Sequence, residues 1–282
     1  MIIVIILFFN IFTKNYTLNN EPIDIVMPCH KKDIETLDIC IEAIKRNVKN
    51  YRKIIVVSEE KFTNNAEWFP EYKYPFNKQL ISNQIFKDDI KADNYLNNPK
   101  NRAGWIMKQI FNLYHFRIIP NLSSNILVID CDTILLKPIE FINEKNGAIF
   151  TLSSEYHKPY FEHGKRLIPG FKKVLKKYSG ISHHMLFQKN VMEDLLNTIK
   201  NYHKIEPWKA ICNVIDINEI WGSPIAEYEL YFNFAIKNSN QFSTRFLKWT
   251  NSDQINLDKF LTNDYDFVSF HYFLRNKEWW TF

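Results

Sequence analysis

The chain has 282 residues, of which 46% are hydrophobic, 24% charged and 16% aromatic; this excludes a disordered or collagen-like chain and supplies apolar material for a sizeable core. Only 6 glycines are present, and neither the Walker nor the dinucleotide glycine pattern occurs, so phosphate handling falls to a metal, to Lys and Arg, or to helix ends. The formal net charge of +5 suits an anionic substrate, and with no basic run interleaved with aromatics it does not indicate nucleic acid.

The opening MIIVIILFFNIF (residues 1–12) is almost wholly apolar but falls short of the roughly 20 residues that a spanning helix needs. No basic stretch precedes it and no small-residue cleavage site follows, as a signal peptide would have. A membrane-touching anchor, a truncated signal anchor and a buried segment all fit. The polar, linker-like NYTLNNEP behind it favours the first two, hence peripheral membrane contact through residues 1–12. Residues 1–20 are set apart, and 21–282 form one domain. The cysteines, Cys29, Cys40, Cys131 and Cys212, make no CxxC pair, so a zinc site is not indicated. Reduced, buried thiols in a cytoplasmic compartment, with membrane association left open, are the expectation.

IDIVMPCHKKD (residues 23–33) is a short apolar run ending at Pro28, with polar residues behind it: a buried strand opening into a loop. IETLDICIEAIKRNV carries apolar residues at helical spacing, and KIIVVSEE (residues 53–60) is a second buried strand. Strand, helix, strand opens a parallel α/β sheet. Residues 61–100 show weak periodicity and are expected to be loops and short helices. GWIMKQIFNLYHF (residues 104–116) reads as an amphipathic helix with Lys108 and Asn112 on one face, and Trp105, Ile106, Ile110, Leu113 and Tyr114 on the buried side. NILVIDCDTILLKP is a strongly apolar strand ending in two aspartates, and GAIFTLS another strand. HHMLFQKN is strand-like, VMEDLLNTIKNY and AEYELYFNFAI are helical, and YDFVSFHYFLRNKEWW closes the chain.

The chemistry-bearing pattern is Asp130-Cys131-Asp132 behind five largely apolar residues. Extended residues two apart share a side, so the carboxylates converge while Cys131 turns away. They also sit at the carboxyl end of a buried strand, where open α/β sheets bind ligands. Two hard oxygen ligands beside solvent suit Mg²⁺ or Mn²⁺, which keeps waters and takes substrate phosphates as further ligands. The plain alternative is a pair of ordinary strand-end aspartates. His271 follows the apolar DFVSF; a neutral imidazole can complete a metal site, while the competing reading is a hydrogen-bonded core histidine.

VIDCDTILLKP resembles the DxD strand of GT-A fold glycosyltransferases. The ending HYFLRNKEWW is similar to the H-x-x-G-x-x-K-P-W motif of the glycogenin/galactosyltransferase-like (GT8-type) family, with His271, Lys277 and Trp279 at matching offsets. It departs from that motif at Leu274 and Glu278, where the family has glycine and proline. By layout the chain also resembles the family of unknown function DUF6492. The shared features are Gly104, Trp105, Gln109 and Leu113 before the DxD strand, the segment from Ser182 through His183 and His184 to Phe187, and Glu227, Tyr228, Leu230 and Tyr231 later.

The resemblance implies an α/β, Rossmann-like nucleotide-diphospho-sugar transferase fold with a mostly parallel central sheet flanked by helices. It implies Asp130, Asp132 and His271 as ligands of Mn²⁺ or Mg²⁺, with Lys277 at the leaving diphosphate. Pro28, His30 and Lys31 would line the nucleotide, and Lys108 or Gln109 would face the donor's sugar or phosphates. Glu227 would face the acceptor or reacting carbon, and His184 the donor sugar. A nucleoside-diphosphate sugar, most readily a UDP-sugar, would be the donor, and a glycan, lipid or protein hydroxyl the acceptor. Inversion at the anomeric centre would use Glu227 as general base; retention would need none. A haloacid-dehalogenase-like phosphatase with Asp130 as nucleophile and a non-catalytic carbohydrate-binding protein are the rival readings.

Overall fold

The computed structural model describes residues 14–261 and 263–275. The first half runs β1 (Ile23–Pro28), α1 (Ile34–Asn47), β2 (Tyr51–Ser58), β3 (Glu67–Pro70), α2 (Lys78–Phe86), α3 (Asp89–Leu96), α4 (Ala103–Ile118) and β4 (Asn125–Ile129). Every residue of β1 and β4 is buried, the pattern of strands covered on both faces, which read as continuous apolar runs. In α1 the buried Leu37, Cys40, Ile41 and Ile44 recur at helical spacing and form one inward stripe. Asn77 and Asp88 start α2 and α3 by accepting the N–H groups of Leu80 and Lys91.

The second half adds β5 (Thr133–Leu135), β6 (Ile149–Thr151), α5 (Lys158–Leu167), β7 (His184–Gln188), α6 (Lys189–His203), α7 (Pro207–Asn213) and α8 (Glu227–Asn238). It closes with β8 (Ser243–Arg245), β9 (Trp249–Asn251), α9 (Asp258–Leu261), β10 (Phe267–Ser269) and α10 (Tyr272–Arg275).

The central sheet has the order β3-β2-β1-β4-β7, parallel except for β7, which runs against β4. The expected class, α/β with a mostly parallel central sheet flanked by helices, is the architecture observed. The carboxyl ends of β1, β2 and β4 therefore share one edge. The start of β7 lies there too, because His184 pairs with Ile129. A smaller sheet, β5-β10-β9, is built on the chain leaving β4, with β10 antiparallel to β5. It brings the chain's last described residues back to the same edge.

Four expectations change. Residues 61–100 contain a strand as well as helices: β3 extends the sheet at its edge, with only Phe69 and Pro70 of its four residues buried, too brief a pattern to show a period. NILVIDCDTILLKP is two strands rather than one; Cys131 and Asp132 form a turn, closed by the Thr133 N–H donating to the Asp130 carbonyl at 3.0 Å. The helix α4 is buried almost all round, including the polar Gln109, Asn112 and His115. The described part of the polar stretch before β1 lies against the domain. Lys14 pairs with Asp194 at 2.6 Å, Tyr16 exchanges hydrogen bonds with Gln241, and Asn125 donates to Asn19. All four cysteines are buried and free. Among the described residues no helix is long and apolar enough to cross a membrane.

Candidate active site

At the end of β4 each aspartate has its own partner. Lys108, on α4, donates to Asp130 Oδ1, and the ring of His183 stands 3.8 Å from Asp130 Oδ2. Burial works to raise the Asp130 pKa, but Lys108 and His183 outweigh it and hold the carboxylate ionised, well below the usual range. Lys108 is correspondingly pushed up: burial opposes its charge, while Asp130 and Glu227 favour it. Asp132 has a different partner, with its Oδ2 3.0 Å from His271 Nδ1. Its backbone carbonyl accepts the Phe270 N–H at 2.9 Å, so the turn and the segment after β10 are tied by main chain as well as side chain. Burial lowers the His271 pKa, but the hydrogen bond and charge of Asp132 reverse this and leave it raised.

Glu227 opens α8 and is buried, with 4% of its surface exposed. Burial lifts its pKa to about 7, with Lys108 and an Asn112 hydrogen bond pulling down and Asp130 pushing up. Asn112 Nδ2 donates to Glu227 Oε1 at 2.6 Å. The next residue, Tyr228, carries a buried hydroxyl without a hydrogen-bond partner in the described chain. Asp130, Glu227 and Asp132 all act, after burial, to raise its pKa, which places it among the acidic groups.

A further tie closes the edge. Arg275, on α10, donates to Asp33 Oδ1 at 2.6 Å and to the Phe270 carbonyl at 2.7 Å, and it also pairs with Glu35. Asp33 is raised to about 6 by burial and by Asp132 nearby. Thus the loop after β1, the turn after β4 and the segment after β10 are joined by side-chain pairs.

The structure brings Lys108, Asp130, Asp132, Glu227 and His271 to one edge of the sheet. Pro28 ends β1 at the same edge and is buried, while His30 and Lys31 are exposed in the loop behind it. The His30 Nδ1 accepts the Lys32 N–H at 3.3 Å. Two residues depart from expectation. Gln109 is buried, and its Oε1 accepts the Glu227 N–H at 3.4 Å. It therefore supports the start of α8 instead of facing a ligand, because one step along a helix turns a side chain by about 100° away from Lys108. His184 is a core residue, with Nε2 3.0 Å from Thr151 Oγ1 and its ring edge-on to Phe141 and Phe267. Burial drops its pKa to about 3, so it stays neutral. Successive side chains of extended chain alternate, and it is His183, just before β7, that stands 3.8 Å from Asp130. Lys277, Trp279 and residues 1–12 lie outside the described residues, as do all the other residues of the closing motif after Arg275.

His183, Asn112, Tyr228 and Asp33 had no assigned role in the sequence. The signal for Asn112 was its four-residue spacing from Lys108; for His183 it was its place in the histidine pair. Nothing in the sequence links Asp33 to Arg275.

Among the described residues no group of three or more His, Cys, Asp or Glu side chains is arranged around one point to hold a metal ion. The donor set is nevertheless right in kind for Mn²⁺ or Mg²⁺, with two part-buried carboxylates and an imidazole touching one of them. Among the described residues, the buried His183 Nε2 and Tyr228 hydroxyl beside them have no hydrogen-bond partner. Lys108 now supplies the positive charge at Asp130.

The family described as "Family of unknown function (DUF6492)" matches residues 20–265. No curated protein matches the chain. Among solved structures, mouse xyloside xylosyltransferase 1 in its apo form is similar at 10% identity, with a TM-score of 0.39, over 88% of this chain and 97% of that one.

Proposed function

The chain belongs to the family of unknown function DUF6492, and from that premise we propose that it is a metal-dependent glycosyltransferase, moving a sugar from a nucleoside-diphosphate donor to a hydroxyl acceptor. One observation carries this reading. Lys108, Asp130, Asp132, Glu227 and His271, from four separate parts of the chain, meet at the carboxyl edge of a mostly parallel sheet, where open α/β folds bind ligands.

Asp130, Asp132 and His271 would hold Mn²⁺ or Mg²⁺, which when bound neutralises the charge growing on a departing diphosphate. Lys108 carries a fixed cation in the same place and stabilises the same developing charge. With a pKa of about 7, Glu227 is matched to taking a proton from an acceptor hydroxyl near neutral pH. His30 and Lys31 stand at the end of β1 for the nucleotide. A UDP-sugar is the donor class proposed, and a glycan, lipid or protein supplies the hydroxyl.

The phosphatase reading has less support. Asp130 lies behind the fourth strand of the chain, whereas that nucleophile loop ordinarily follows the first; a phosphoaspartate trapped at Asp130 would restore that reading. The test of the transferase is hydrolysis or transfer from a panel of nucleotide sugars with and without Mn²⁺, together with the thermal shift that binding produces. Turnover that needs Mn²⁺ and vanishes in Asp132→Ala is expected. No stabilisation by any nucleotide sugar, or full turnover by Asp132→Ala, overturns the proposal. Sugar binding without turnover would mark a lectin.

A further inference from the structure

Behind Glu227 runs a chain of buried polar side chains that the proposed reaction does not use directly. Asn112 Nδ2 lies 2.6 Å from Glu227 Oε1, His115 Nε2 lies 3.1 Å from Asn112 Oδ1, and the Tyr74 hydroxyl lies 2.6 Å from His115 Nδ1. All four residues are buried, so the atoms joined here rely on one another for partners.

For the ionised form of Glu227 the direction of every bond follows by elimination. A carboxyl oxygen without a proton only accepts, so the nitrogen of the Asn112 amide faces Glu227. The amide oxygen is left for His115, so Nε2 carries the ring proton. Burial drops the His115 pKa to about 3; the ring is neutral and its Nδ1 is a bare acceptor. Tyr74 must then donate. Three donors therefore point the same way, from Tyr74 through His115 and Asn112 to Glu227, and hydrogen bonds in such a series polarise one another. Reversing Asn112 would set its amide oxygen against the carboxylate and its nitrogen against the Nε2 proton.

We infer that Asn112 is the positioning residue for Glu227, and that Tyr74 and His115 hold its amide in the one orientation that presents a donor to Oε1. With Oε1 tied, Oε2 is the oxygen left for a substrate hydroxyl. The inference rests on the proposed role of Glu227 only for that last step; the hold on the carboxyl is independent of the reaction. The other ionisable groups facing Glu227 are Lys108 on α4, Asp130 beyond β4, Tyr160 on α5 and Tyr228 beside it on α8. None of them contacts Tyr74 or His115 through a hydrogen bond among those described, so a change at the far end of the chain reaches Glu227 by way of Asn112.

The test is the titration of Glu227 in full-length protein carrying [δ-¹³C]glutamate, with its carboxyl resonance assigned by its loss in Glu227→Gln. In Asn112→Leu the midpoint should rise by about one pH unit, because a donor to the charged form is gone. Tyr74→Phe, which removes a single hydroxyl and spares the fold if Asn112→Leu does not, should move it in the same direction by a few tenths of a unit. A midpoint unmoved in folded Tyr74→Phe overturns the relay, and one that stays or falls in folded Asn112→Leu overturns the positioning role. The acid limb of manganese-dependent UDP-glucose hydrolysis should follow the same shifts. A wild type inert towards nucleotide sugars whose Glu227 midpoint still responds would sink the transferase reading and leave the hydrogen-bonded hold intact.

Discussion

Replacing Glu229 with glutamine should make the protein's stability depend less on pH. Glu229 is buried on α8, with 1% of its surface exposed. It accepts the Gly180 N–H and a 3.1 Å bond from Asn233 Nδ2. Burial lifts its pKa from 4.5 to about 7, against the lowering effect of Gly180, Asn233 and Lys173. A raised carboxyl pKa means that the folded state binds the proton more tightly than the unfolded state. The resulting stabilisation is complete below about pH 4.5 and is lost as pH rises to about 7. At 1.36 kcal/mol per unit, about 2.5 kcal/mol of stability disappears between pH 5 and 8 in the parent and is retained in the variant. The glutamine nitrogen cannot accept from Asn233, whose oxygen is already held by the Val174 N–H at 2.8 Å; losing that bond costs about 1 kcal/mol at every pH. By pH 5 the parent has already lost about 0.9 kcal/mol of this stabilisation, so Glu229→Gln is about as stable as the parent there and more stable by about 2 kcal/mol at pH 8. The difference between the two proteins should change by about 5 °C in midpoint across that range. Thermal unfolding by circular dichroism at both pH values measures it. A difference that does not change with pH, or that changes in the opposite sense, refutes the reasoning.

Lys108→Met should lower the unfolding temperature in the absence of metal, since Asp130 loses the cation that holds it ionised, at a cost of about 2 kcal/mol for a part-buried pair. Added Mn²⁺ should raise the midpoint of this variant more than that of the parent, and equal shifts would show that the ion and the ammonium do not share a place. Gly147→Ala should destabilise by about 3 kcal/mol in urea unfolding, because a β-carbon there would run into the main-chain carbonyl of Gln241. A loss below about 1 kcal/mol would mean that the approach to β8 relaxes freely.

Much of the frame was legible because its signals are local. The buried runs of β1, β2 and β4 are uninterrupted, and α1 and α6 repeat their apolar residues at helical spacing. Asp130 and Asp132 were legible as a pair at a strand end, though the turn that separates their partners was not. What escaped depends on pairing between distant segments. Whether His183 or His184 faces the carboxylates is set by the register of β7 on β4, and a slip of one residue would exchange them. The small sheet is made of three-residue strands, too short to show alternation. Gln109 and Asn112 look like surface residues of an amphipathic helix until α8 covers that face and gives each of them a partner.

The stitching of β5 to β10 has a consequence in time. His271 meets Asp132 from 139 positions further along the chain, through a strand that joins its sheet only when residues 267–269 have been made and docked. A chain emerging from the ribosome can assemble β1, β2 and β4 long before that, yet half of the acidic pair stays unmatched until the final strand arrives. Closing so long a loop is slow. The turn after β4 thus gains its imidazole partner last, after the strands that carry it.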